Sequence, residues 1–418
     1  MLKTTNAGKI LSVTLPLLLV SWPFATRPSV SGRKFAASAS LAGTAPSRTD
    51  PVVATGESTN KGIGDHYLML VNTAVASYMT EEKLRQFDKS PYDGLAVAFL
   101  HAYDTATPPT AASIDHQIAT WKGFTSKDIW PWVYVNRMIG MSTAENNPHS
   151  DQPYFHRIIG ADLDDKNGAL SDFLNIWRNA LAGARDSKVP GIVCDLEFYN
   201  YYKEYDIGEL AHQTGKTPLQ AAESLKHLGA KMADLAAETY PNATLWMLFI
   251  ALTHPGYKKF DGIPYYPSPA YISIGLLDEI AKRRLPLKVI AGGEGSIGYC
   301  HDSLEQFKSA IEQRQSDLEA DLAKYSGILE LGGTLALWSD RAAKKDWLNK
   351  GSCKASDADS IENLEPYIEL LLTTYRYNWL YGTSEGNYLP FAASSAPRFD
   401  RVIDKAKNAA ISKPQKPH

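Results

Sequence analysis

The 418-residue sequence predicts an α/β fold, an eight-stranded (β/α)8 TIM barrel with long, aromatic-rich loops, and three observations predict it. Eight short apolar runs recur along the chain. Longer segments with helical spacing separate them. No Gly-rich phosphate turn follows the first run, as the rival open, doubly wound sheet would require. Repetition of strand then helix implies parallel pairing through crossovers, and eight such units can close on themselves.

In chain order the runs are HYLMLVN (66–72), GLAVAFL (94–100), IWPWVYV (129–135), PGIVCDLE (190–197), TLWMLFI (244–250), LKVIAGG (287–293), GTLALWS (333–339) and YRYNWLYG (375–382). Between them, Leu225, Leu228, Met232 and Leu235 step by three and four, as do Leu304, Phe307, Ile311, Leu318 and Leu322. In GTLALWSD, Thr334, Ala336, Trp338 and Asp340 alternate with Leu335, Leu337 and Ser339. That alternation is expected if branched residues face helices while smaller and polar ones face the barrel interior.

The ends are read separately. Lys3 and Lys9 precede an apolar run from Ile10 to Ala25, the order of a signal peptide over residues 1–25, with a single N-terminal anchor as the alternative. Residues 26–62, rich in Ser, Ala, Thr, Gly and Pro, read as a flexible leader, 63–410 as the catalytic barrel and 411–418 as a disordered tail. The expectation is a secreted or periplasmic protein without a membrane segment after cleavage.

A net charge of −3 with both signs interspersed gives no basic stripe and argues against a nucleic-acid partner. Cys194, Cys300 and Cys353 allow one intramolecular disulfide at most, Cys300 with Cys353, or else three separate buried thiols. Their spacing with histidines matches no zinc site, and no cofactor is expected. The acidic run DLDDKNG (162–168) departs from the EF-hand spacing and reads better as a polar turn leading a helix than as a calcium loop.

Active sites of such barrels form at the C-terminal ends of the strands. There the chain places Asp104 after the second run, Arg137 after the third, Asp195 and Glu197 on the fourth, and His254 after the fifth. Glu294 follows the sixth, Trp338 and Asp340 the seventh, and Glu385 the eighth. Converging carboxylates raise one another's pKa, so one can stay protonated to donate a proton while an ionised partner attacks carbon or activates water. Glycosidic bond cleavage needs that pair. Tyrosines crowd the same loops, among them Tyr199, Tyr201, Tyr202 and Tyr205 after the fourth run and Tyr265 and Tyr266 after the fifth. Rings with an apolar face and a polar edge suit sugars.

Two resemblances follow from these residues. GIVCDLE resembles the fourth-strand signature of family 18 chitinases, with Gly191, Ile192, Asp195 and Glu197 matching and Val193 standing where those enzymes carry a further Asp. The resemblance implies Glu197 as general acid and Asp195 as the group orienting a substrate acetamide that acts as nucleophile. From Asp65 to Phe391, the segments YDGLAVAF, GIVCDLEFYN, GGEGSIGY and YNWLYGTSEGNYLPF are similar to a group of secreted bacterial barrels classed with the glycoside hydrolases. That resemblance implies a carbohydrate substrate and carries over Asp195, Glu197 and Glu294, and Glu385 less closely, because Thr383 occupies the matching acidic position.

The reading is therefore a glycoside hydrolase cleaving O-glycosidic bonds. Glu197 would be its acid, Glu294 its nucleophile or base and Asp195 a tuning group, while Asp104, Arg137, Tyr199, His254, Trp338, Asp340 and Glu385 would hold the sugar. A chitinase-like substrate-assisted hydrolase and a non-catalytic carbohydrate-binding barrel are the alternatives.

Overall fold

The computed structural model describes residues 66–75, 79–98, 110–134, 163–164, 169–196, 206–250, 252, 259–260, 263–264, 266–298, 301, 303–336, 361–382 and 396–412. Eight strands form the barrel: β1 (Tyr67–Val75), β2 (Gly94–Ala98), β3 (Asp128–Tyr134), β4 (Gly191–Asp195), β5 (Thr244–Met247), β6 (Lys288–Ala291), β7 (Leu329–Ala336) and β8 (Tyr377–Gly382). Each pairs in parallel with its sequence neighbour, and β8 pairs with β1, so the sheet closes. The fold is a (β/α)8 barrel, as the eight runs predict.

Helices α1 (Glu81–Asp88), α2 (Ala111–Lys122), α3 (Ala169–Asp186), α4 (Ile207–Thr214), α5 (Pro218–Thr239) and α6 (Ser268–Arg283) lie between strands. They are followed by α7 (Glu294–Ile297), α8 (Leu304–Asp317), α9 (Glu319–Lys324), α10 (Glu365–Thr374) and α11 (Ala396–Ile411). Their starts are written locally. The hydroxyls of Thr80, Thr110 and Ser303 accept from backbone N–H groups of the first turn, and Thr217 with Gln220 forms a capping box before Pro218. Among the described residues no helix is long and apolar enough to cross a membrane.

Several boundaries differ from the sequence reading, two of them for a plain physical reason. The seventh strand starts at Leu329, not 333, because Gly332 continues the strand instead of ending it: it packs so closely that a Cβ there would press on Ile290. The helical pattern from Leu304 to Leu322 is interrupted at Leu318, where α8 ends and α9 begins.

The barrel interior is filled by rings. Tyr67, Trp130, Trp246 and Tyr377, from β1, β3, β5 and β8, meet with centroids 5.8–6.2 Å apart, and Trp130 Nε1 donates to Tyr67 Oη at 2.9 Å. Edge-to-face contacts of this kind add to the burial of large apolar area. The lower barrel is thus a packed plug, and a ligand must sit above it.

Helix α11 docks at the start of β2. Lys407 donates to the Pro91 carbonyl at 2.9 Å and to Asp93 at 2.8 Å, and Asp93 in turn accepts from the Leu68 N–H in β1. On the same helix, burial and then the neighbouring Asp404 push the Asp400 carboxyl up to about 6, with Lys127 opposing. The folded state therefore holds this proton more tightly than the unfolded chain, so its stabilising contribution is present below about pH 4 and is lost as pH rises through about 6. Asp400→Asn is expected to unfold at a higher temperature than wild type at pH 7 and at a similar one at pH 4. Parallel melting curves at both pH values would refute this.

Candidate active site

Register decides which side chains of β4 look inward. Val193 pairs with Trp132 on one side and Trp246 on the other. Because Trp246 belongs to the interior ring layer, Val193 faces inside, and so does Asp195 two residues on. Asp195 is the last residue of β4 and is 1% exposed. Its neighbour Cys194 points the other way, toward the helices. Burial and then the Asp195 charge push that thiol well up, so it is inert at neutral pH.

Glu294 is placed by a different device. The backbone leaves β6 through Gly292 and Gly293, and Gly293 caps α7 with φ 86°, a left-handed conformation that a side chain resists. The β5–β6 ladder continues past the strands: Gly292 N–H donates to Met247 at 2.7 Å and Glu294 N–H to Leu248 at 3.2 Å. Trp379 on β8 reaches across β7 to donate from Nε1 to the Gly292 carbonyl at 3.0 Å. Glu294 is 4% exposed at the first position of α7.

The two carboxylates therefore share one frame. Leu248 N–H donates to the Cys194 carbonyl at 2.8 Å, while the Leu248 carbonyl accepts from Glu294. One residue of β5's extension thus ties the ends of β4 and β6 together, with about 10 Å between the two outer backbones at ordinary strand spacing. Beneath them, one step above the ring plug on the same faces, lie Trp132 on β3 and Trp379 on β8, and Tyr381 packs edge-on to Trp379 at 6.2 Å.

Of the residues singled out in the sequence, Asp195 and Glu294 are thus brought to one end of the barrel. Glu197, Asp104, Arg137, Tyr199, His254, Trp338, Asp340 and Glu385 lie outside the described residues, as do Cys300, Cys353, the N-terminal apolar run and the leader. From the DLDDKNG run, Asp164 forms an ion pair with Lys216 at 2.5 Å. The loop after β5 carries a two-residue ribbon, Lys259–Phe260 against Ile263–Pro264. Tyr266 is turned into packing against Tyr271 of α6, with ring centroids 5.7 Å apart.

Sequence reasoning missed Trp379 as an inward-facing ring beside the turn that carries Glu294. The signal was present: Tyr377, Trp379 and Tyr381 alternate along β8, so three rings share its inward face. Arg314 was also missed, since a charged residue inside LEQFKSAIEQRQSD reads as part of a solvated helix face.

No protein-family model and no curated protein sequence matches the chain. Similar solved structures include the GH18 chitinase ChiB of Flavobacterium johnsoniae, at 12% identity over 81% of this chain and 93% of that one, TM-score 0.36. Endo-glycoceramidase II of a Rhodococcus species, solved as a lactosyl-enzyme intermediate, aligns at 10% identity over 81% and 78%, TM-score 0.47. The catalytic domain of β-amylase from Paenibacillus polymyxa aligns at 9% identity over 82% and 99%, TM-score 0.43. These neighbours are TIM-barrel glycoside hydrolases, and at such identities the likeness is one of fold alone.

Proposed function

We propose that this is an exported glycoside hydrolase acting on O-glycosidic bonds of a polysaccharide or its oligomers. The observation that carries the reading is the pair of buried carboxylates, Asp195 and Glu294, held at one barrel mouth by Leu248 above a floor of indole rings. Burying two acids together is costly. Acid/base chemistry at an anomeric carbon gives that cost a use.

In this reading Glu197, two residues beyond Asp195, protonates the glycosidic oxygen. Glu294 attacks the anomeric carbon or activates the water that does, and Asp195 orients Glu197. Trp379 fixes the turn that carries Glu294 and so fixes where the base or nucleophile starts. Arg137, Tyr199, Trp338, Asp104, His254, Asp340 and Glu385 would contact the sugar. A separation of about 5–5.5 Å between the Glu197 and Glu294 carboxyls would make the enzyme retaining, and one of about 6.5–9.5 Å inverting.

The chitinase-like alternative is less well supported. Val193, at the inward position below Asp195, is fully buried in register with Trp132 and Trp246, where the chitinase pattern has a further acid.

The test is a screen of the full-length protein against polysaccharides and oligosaccharides, comparing reducing-end release by wild type and Glu197→Gln. Cleavage that falls at least about a hundredfold in the variant supports Glu197 as the acid. Equal cleavage by both removes Glu197 from the mechanism, activity confined to N-acetylated sugars favours the substrate-assisted route, and glycan binding without turnover favours a binding barrel.

A further inference from the structure

We propose that Arg314 is a positioning residue for Glu294, an inference that rests on Glu294 carrying the reaction proposed above. Arg314 belongs to α8, behind the sheet, and is 4% exposed. Its guanidinium donates from Nη1 to the Gly332 carbonyl in β7 at 2.7 Å and from Nη2 to the Ala291 carbonyl at the end of β6 at 2.6 Å. It also lies over the Tyr375 ring, 5.6 Å from the centroid.

The geometry reaches the turn itself. A Cβ on Gly293 would stand 2.8 Å from the guanidinium carbon and 2.9 Å from Nη1, so the backbone just before Glu294 rests directly on Arg314. Each residue leading into Glu294 is thus fixed by another element: Ala291 by Arg314 from α8, Gly292 by Met247 of β5 and Trp379 of β8, Gly293 by the guanidinium face.

Burying a guanidinium is expensive, and an apolar side chain of similar volume often stabilises as well or better. What an apolar chain cannot do is hold two carbonyls of neighbouring strands in a planar fork. The structure thus assigns Arg314 to the placement of the turn. Glu294 is the first side chain after that clamp, and displacement of a catalytic group by about 1 Å costs on the order of a hundredfold in rate.

Two variants of the full-length chain test this. Arg314→Lys keeps the positive charge but replaces the fork with a single nitrogen, and Arg314→Met keeps the volume and removes every donor. With glutamate 13C-labelled at the carboxyl, the Glu294 resonance is identified by its absence in Glu294→Gln and then titrated with pH. In both variants its midpoint is expected to move by about one pH unit or more, or its signal to split into several conformers, while thermal unfolding stays cooperative. Should Arg314→Met fail to fold, Arg314→Lys decides. A titration curve that superposes on wild type in Arg314→Lys overturns the proposal and leaves Arg314 a purely structural residue, whatever stability is lost.

Kinetics supply the second readout, on any glycan or aryl glycoside that wild type cleaves. The expected result is a kcat lowered about ten- to hundredfold with KM within about twofold; a lower unfolding temperature with unchanged kcat overturns the proposal. If wild type cleaves nothing, the glycosidase reading fails while the carboxyl titration still decides on Arg314.

Discussion

Glu294→Gln is expected to lower turnover by about 10²- to 10⁴-fold while leaving the unfolding temperature unchanged or raised. The substitution is nearly isosteric, removes a negative charge and leaves the Gly293 cap and the α7 backbone as they are. Glu294, 4% exposed, and Asp195, 1% exposed, are both buried at this end of the barrel, where desolvation strains a charged carboxylate. If that strain serves chemistry, neutralising one acid relieves it, and stability rises as activity falls. If Glu294 is instead a structural acceptor, replacing one oxygen by an amide nitrogen spoils a buried hydrogen bond and costs about 1–3 kcal/mol, with little change in rate. Melting curves and reducing-end release measured on the same two proteins separate these cases. A variant that melts lower yet turns over within about tenfold of wild type would remove Glu294 from the mechanism.

The barrel was legible because its signals are local. Each strand is a short apolar run, each intervening helix repeats every three or four residues, and neither pattern depends on distant contacts. Where tertiary packing overrode a local rule, the reading slipped. The seventh run was read as starting at Gly333, yet the strand begins at Leu329 and takes in Gly332, where Ile290 crowds the position a side chain would take. The ends of the strands were legible for a related reason, since strand parity puts Asp195 on the face opposite Cys194 without any knowledge of the fold.

What joins one strand end to another was not legible. Leu248 as the tie between β4 and β6, and Trp379 reaching past β7 to Gly292, are long-range hydrogen bonds whose partners lie up to 87 residues apart. A single sequence carries no record of such pairings. Arg314 was hidden for the opposite reason: its helix is polar enough that one more charge looks solvated, and only Gly293, whose Cβ would meet the guanidinium, hints that something packs closely against that turn.

Gly275→Ala and Gly229→Ala are expected to destabilise the protein by about 3 kcal/mol or more each, against the sign that helix propensity predicts. Alanine in a helix interior is favoured over glycine by about 1 kcal/mol, so an exposed site would gain. Here α5 and α6 cross backbone to backbone: a Cβ on Gly229 would overlap the Ile272 carbonyl oxygen, and one on Gly275 would overlap that of Lys226. The obstacle is main chain on both sides, so no rotamer can yield and the helices must part. The two costs should be less than additive, because a crossing already opened by the first methyl accommodates the second more readily. The effect should reach the site as well. Helices α5 and α6 are the connections into and out of β5, the strand whose extension through Leu248 spaces Asp195 from Glu294. Denaturant unfolding of the two single variants and the double variant gives the stability terms, and kcat at a temperature where all remain folded gives the coupling to the site. Unfolding midpoints equal to or above wild type would mean that the close crossing of these helices is not what the glycines serve.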